Sequence, residues 1–126
     1  MRATATILCV DDEHTGLLIR RLLLERMGYT VLTAESARQG LDLFTKNQVD
    51  AVILDYYLPD VDGGRLAKAM RLLKPEVPII LLSAQLYLPE EDIAAADSYV
   101  GKGQHSSGLL REIKHVLQRS ARVQSA

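Results

Sequence analysis

A doubly wound α/β fold is what this sequence predicts, on three observations. Five short apolar runs alternate with five stretches of helical periodicity. The runs are continuously apolar rather than alternating, as strands of a parallel sheet covered on both faces must be. Several of them end on an acid, a hydroxyl or a lysine instead of on ordinary turn residues.

The first strand is ATILCV (5–10). HTGLLIRRLLLERM (14–27) follows as a helix, with Leu18, Leu22, Leu23 and Met27 as its apolar residues and Gly28 as its stop. TVLTA (30–34) is a short β-rich run. Ser36 and Gln39 make a capping-box pattern that opens the second helix, where Ala37, Leu41 and Phe44 share a face. VDAVILD (49–55) is the third strand. A helix carrying Leu66, Met70 and Leu73 stops before Pro75, and VPIILLS (77–83) is the fourth strand. Residues 89–96 make a short helix: proline suits its first turn, and Glu90, Glu91 and Asp92 suit its positive end. SYVG (98–101) is the fifth strand. Leu109, Ile113, Val116 and Leu117 mark the last helix, and the polar RSARVQSA reads as a fraying tail. No domain boundary, repeat or low-complexity segment interrupts the series.

Composition narrows the function classes. The 126 residues, 48% hydrophobic and 25% charged, suffice for one domain with a core. A formal net charge of −1 argues against general nucleic-acid affinity. Cys9 is the only cysteine, so no disulfide forms within the chain, and it reads as a small buried apolar residue. MRATAT lacks the apolar stretch of a signal peptide, and no run reaches the length of a membrane span. A cytoplasmic location is expected.

In open α/β sheets, sites form beyond the carboxyl ends of the strands, where the strand order reverses. This chain places Asp11 and Asp12, Asp55, Ser83 and Lys102 there, from four of its five strands. Three carboxylates held together repel, and one must take a proton unless a cation joins them. The ligands are hard oxygens, which favours Mg2+, or a similar ion such as Mn2+, over zinc. Such an ion keeps positions open for phosphate oxygens. Lys102 offers a point charge for a phosphoryl oxygen, Ser83 a hydrogen bond, and Asp55 a nucleophile of the kind that forms aspartyl phosphates. Singly, each has a plainer explanation: an acid capping the first helix, a turn aspartate, a capping serine, a solvated lysine. Four strand ends with complementary chemistry are hard to assign to chance.

VDDE, LDYYLPDVDG, LLSA and YVGK, each at its own strand, together give the chain a likeness. From about Ala5 to Leu117 it resembles the receiver domain of two-component response regulators, the fold of the bacterial chemotaxis regulator. The resemblance implies a flavodoxin-like (βα)5 domain with a five-stranded parallel sheet in the order 2-1-3-4-5. The receiver domain would occupy residues 1–120, with 121–126 a flexible tail or the start of a linker. Asp55 would be the phosphate acceptor and, with Asp12 and the backbone carbonyl of Tyr57, a metal ligand; Asp11 would act mainly through water. Ser83 and Lys102 would bind the phosphoryl group, and Tyr99 matches the aromatic switch. A sensor histidine kinase or histidine phosphotransfer protein would be the donor. A downstream protein or output domain, or a homodimer formed on activation, would read the face of helix 4, strand 5 and helix 5. No basic recognition helix follows, so direct contact with nucleic acid is not expected, nor is contact with a membrane. The chain would catalyse only its own phosphorylation and dephosphorylation.

Three features depart from the family pattern. Gly103 follows Lys102 where the family usually has proline, which puts the shape of the GQHSSG loop in question. Ser83 to Tyr99 spans 16 positions, fewer than is usual, so helix 4 should be short or partly unwound. Serine replaces the commoner threonine at 83 and keeps the hydroxyl. His14, His105 and His115 lack metal-ligand spacing and are expected at the surface; Arg20, Arg21 and Arg26 on the first helix would either touch a kinase partner or, by default, form a solvated face. Tyr56 and Tyr57 fall in the loop after the acceptor, where Tyr57 either screens the phosphoryl group or simply packs. Two other readings compete. A non-phosphorylated pseudo-receiver, acting only as an interaction module, would be favoured by loss of Asp55 or Lys102, and neither is lost. An enzyme of similar topology fits worse: Asp11, Asp12 and Glu13 would repel a flavin phosphate, and a haloacid-dehalogenase phosphatase needs an aspartate at the position of Tyr57.

Overall fold

The computed structural model describes residues 4–85, 87–102 and 106–125, with backbone alone at 106–107 and 121–125. Five strands and five helices alternate: β1 (Thr6–Val10), α1 (His14–Arg26), β2 (Thr30–Ala34), α2 (Ala37–Lys46), β3 (Ala51–Asp55), α3 (Gly63–Leu73), β4 (Ile79–Ser83), α4 (Glu90–Ala94), β5 (Ser98–Gly101) and α5 (Ser106–Ser125). The strands pair in parallel in the order β2-β1-β3-β4-β5. This is the predicted topology. Among the described residues, no helix is long and apolar enough to cross a membrane.

The unbroken apolar runs follow from burial on both faces. Ile7 and Cys9, Ala51 and Ile53, and Ile80 and Leu82 pack with Leu17 and Leu24 of α1 and Ile113 and Val116 of α5. Leu8 and Val10, Val52 and Leu54, and Ile79 and Leu81 face the other way, against Ala37 and Phe44 of α2 and Leu66, Ala67 and Met70 of α3. Successive residues point to opposite faces, and here neither face meets water. All five residues of β3 and of β4 are buried.

Local chemistry sets the helix ends. Glu13, rather than Asp11 or Asp12, caps α1, its carboxylate accepting the Gly16 N–H. Gly28, at φ +95°, ends that helix. Its N–H donates to Glu25 O (3.0 Å) and the Tyr29 N–H to Leu24 O (3.2 Å), the paired bonds of a Schellman turn. Ser36 caps α2 by accepting the Gln39 N–H at 3.1 Å, and the Gln39 side chain reaches back to the Glu35 N–H at 2.9 Å. The expected capping box is thus present with its return bond moved one residue upstream. Asp60, in the loop after β3, accepts the N–H groups of Ala37 and Arg38, each at 2.9 Å, and these bonds hold its carboxyl below the usual range. Asp62 caps α3 by accepting the Arg65 N–H at 2.8 Å.

Three expectations need correcting. Leu18 and Leu22 are not the buried face of α1: they are 45% and 52% exposed, and Leu17 and Leu24 are the buried leucines. Leu73 is half exposed, and Ala67 takes its place between Leu66 and Met70. α4 has five residues, shorter than the predicted 89–96, in line with the short Ser83–Tyr99 interval. The backbone of α5 stays helical to Ser125, beyond Leu117 where the apolar spacing ends. Gly103 and His105 lie outside the described residues; His14 and His115 are exposed as expected.

Candidate functional site

The strand order reverses between β1 and β3, and the carboxyl ends of these strands carry the acids. Asp11 follows β1 and its N–H donates to Ala34 O (3.0 Å), so the chain is still tied to β2 as it leaves the sheet. Asp11 and Asp55 are 1% and 3% exposed, while Asp12 is open to solvent. One carboxylate oxygen from each of the three lies within 4.8 Å of the other two. Among the described residues, no other group of three or more acids, histidines or cysteines is gathered in this way. Lys102, the residue after β5, closes the cluster. Its N–H donates to Ser83 O (2.9 Å), and its Nζ lies 3.1 Å from Asp55 Oδ1 and 3.3 Å from Asp11 Oδ2.

The remaining predicted residues lie along the same edge. Ser83 is fully buried, one position past the Leu82 that pairs with Asp55, and its Oγ accepts the Gln85 N–H at 3.0 Å. The Tyr99 hydroxyl donates to the backbone carbonyl of that same Gln85. The loop after β4 therefore joins the serine and the tyrosine through one residue. The Tyr57 ring is half exposed and meets the Tyr56 ring edge-on, with centroids 5.1 Å apart. Cys9, one residue inside β1, is buried, and burial pushes its thiol up to about 12, so it stays protonated and inert.

The two buried acids are held in different states. Burial raises Asp11, but the Glu13 N–H (3.0 Å to Oδ1), Lys102 and Arg20 outweigh it and keep its carboxyl below the ordinary value. Asp55 is pushed up to about 6, first by burial and then by the Asp11 charge beside it; Lys102 opposes the shift without cancelling it. A site that forces one carboxylate toward protonation has too little positive charge. Hard oxygens this close together, with one of them at an exposed acid, suit a small divalent cation in place of that proton.

Two site features escaped the sequence reading. Arg20, expected on a solvated face, is 14% exposed and places Nη1 3.3 Å from Asp11 Oδ2. The signal was available in Leu17 and Leu24, which share a helix face with Arg20 once they are taken as the buried pair. Asp92, read as an acid at a helix start, is buried. Its Oδ2 accepts the Tyr56 hydroxyl at 2.7 Å, and Lys68 Nζ lies 3.3 Å from its Oδ1. The residue next to Asp55 is thereby tied to α4.

Known proteins share this fold. The family model for the response regulator receiver domain matches residues 7–114. The transcriptional regulatory protein RprY of Bacteroides fragilis is 34% identical over 118 residues, which cover 90% of this chain and 49% of that protein. A receiver domain protein (CheY-like) from Methanospirillum hungatei has a solved structure with a TM-score of 0.88 at 28% identity, covering 95% of this chain and 98% of that one. The response regulator TrrA of Thermotoga maritima, solved in complex with Mg(2+)-BeF, has a TM-score of 0.85 at 33% identity, covering 90% of this chain and 99% of that one. The chain spans about a quarter to a half of the curated relatives it matches. It belongs to the response regulator receiver domain family, the receivers of two-component systems.

Proposed function

We propose that this receiver is controlled by phosphorylation at Asp55, with Mg2+ or Mn2+ held by Asp12, Asp55 and the Tyr57 carbonyl and, through water, by Asp11. The observation that carries the reading is Lys102 Nζ at 3.1 Å from a buried Asp55 that shares its pocket with two further carboxylates. The donor is a phosphohistidine on a sensor kinase or a phosphotransfer protein. An Asp55 oxygen attacks phosphorus, the P–N bond breaks, and the imidazole nitrogen keeps the electron pair. The cation, when bound, neutralises phosphoryl oxygens during transfer. Lys102 exchanges its carboxylate contact for a phosphoryl oxygen, and the Ser83 hydroxyl turns from Gln85 to another. Releasing Gln85 loosens the carbonyl that holds Tyr99, so the change at Asp55 reaches β5 and the face that a downstream protein, an output domain or a second copy reads.

The similarity to TrrA supports the metal assignment. Residues 1–120 form the domain on this reading and 121–126 begin a tail or linker, in the cytoplasm. The chain catalyses only its own phosphorylation and dephosphorylation. Incubation with acetyl phosphate, with and without Mg2+, tests the proposal. Wild type should take up phosphate only with Mg2+, and Asp55→Asn should take up none. Equal labelling of the variant removes Asp55 as acceptor. No labelling of either, under any donor, leaves the chain as an interaction module without phosphorylation.

A further inference from the structure

Arg20 has no place in that scheme, yet it makes one of the few contacts to the buried Asp11. We infer that Arg20 is a resident counter-cation of the acidic cluster, which compensates Asp11 before any metal arrives and so lowers the site's affinity for a divalent ion. The inference rests on reading Asp11, Asp12 and Asp55 as the metal site.

Leu17 and Leu24 are the buried residues of α1, and Arg20 shares their face at helical spacing, with its guanidinium at Asp11 instead of out in solvent. Its side chain is 14% exposed, against 46% for the adjacent Arg21. Asp11 Oδ2 receives Arg20 Nη1 at 3.3 Å and Lys102 Nζ at 3.3 Å, while Oδ1 accepts the Glu13 N–H at 3.0 Å. Both oxygens of Asp11 are therefore engaged by the chain itself. Lys102 alone would leave three carboxylates with two uncompensated charges; Arg20 reduces that to one. A guanidinium cannot shed its proton to relieve crowding when a second cation enters, so it repels that cation permanently. Arg20 thus acts as a positioning residue with a set charge: it pins Asp11 and makes the metal bind against a standing positive charge.

The test is metal binding itself, on the whole chain. Wild type, Arg20→Met and Arg20→Lys are titrated with Mg2+ followed by amide chemical shifts, and with Mn2+ followed by the free-ion paramagnetic resonance signal. Removing one unit charge next to a divalent ion should tighten binding about tenfold or more. Arg20→Lys, which keeps the charge, should bind close to wild type. Metal-free Arg20→Met should melt lower than wild type and recover more on adding Mg2+. Unchanged Mn2+ affinity in Arg20→Met, whatever its melting temperature, would overturn the inference and reduce Arg20 to packing. Should Arg20→Met not fold without metal, Arg20→Gln, which drops the charge but keeps a polar stem, serves under the same criterion. Absence of binding to wild type and variants alike would overturn the metal site itself and this inference with it, whereas equal binding by all overturns the inference alone.

Discussion

Replacing Asp55 with asparagine should stabilise the metal-free protein at neutral pH, although it removes the acceptor. The folded protein holds this carboxyl up to about 6, against 3.8 without the fold, because it is buried beside Asp11. At about 1.4 kcal/mol per pKa unit, a difference of about two units is worth about 3 kcal/mol. The sign follows from proton binding. Between these two values the folded state holds the proton more tightly than the unfolded chain, so stability falls as pH rises through the window. Below about 3.8 the carboxyl is protonated in both states and costs nothing; above about 6 the full penalty applies. Asparagine escapes it, and the attraction of Lys102 for the carboxylate at 3.1 Å is already contained in that figure, since it opposes the shift. The expectation is therefore about 3 kcal/mol at pH near 7.5, shrinking toward zero near pH 4. Urea unfolding of both proteins in chelator across this range measures it directly. Mg2+ should then reverse the order, since it stabilises wild type more. A variant less stable than wild type at neutral pH, or a gain that does not change with pH, would refute the electrostatic reasoning.

Other contacts lead to separate expectations. Tyr56→Phe removes the hydroxyl that donates to Asp92 at 2.7 Å, the bond that also pushes the phenol up to about 12. It should cost about 1 kcal/mol in denaturant unfolding and speed amide exchange across α4, and unchanged exchange would show that the contact does not hold the helix. Gly64→Ala would place a Cβ 2.4 Å from Asp92 Cγ, so α4 must move; a loss of about 2 kcal/mol is expected, and a neutral effect would mean α4 yields freely. Lys102→Met should slow phosphate uptake from acetyl phosphate by about a hundredfold or more while the circular dichroism spectrum is retained; uptake at the wild-type rate would remove Lys102 from the site.

The topology was readable because a two-sided parallel sheet leaves a plain mark: ILCV, AVILD and IILLS have no polar residue on either face until the strand ends. The strand-end acids were readable for the same reason, as charges where burial had just been complete. Helix faces were harder. In LLIRRLLLERM nearly every register holds a leucine, so spacing alone chose Leu18 and Leu22 where the sheet takes Leu17 and Leu24. That one error hid Arg20 as well. Asp92 was hidden differently: three successive acids at a helix start satisfy the dipole argument equally. Only the third falls on the side of the short helix that meets Gly64, Tyr56 and Lys68. Such long-range contacts leave no local pattern.

The central claim is that the strand-end carboxylates and Lys102 make Asp55 the phosphoryl acceptor. Borohydride reduces an aspartyl phosphate to homoserine, which peptide mass mapping locates residue by residue. After incubation with acetyl phosphate, homoserine should stand at position 55, and only when Mg2+ was present. Homoserine at Asp11 or Asp12, or at position 55 regardless of metal, would contradict the account.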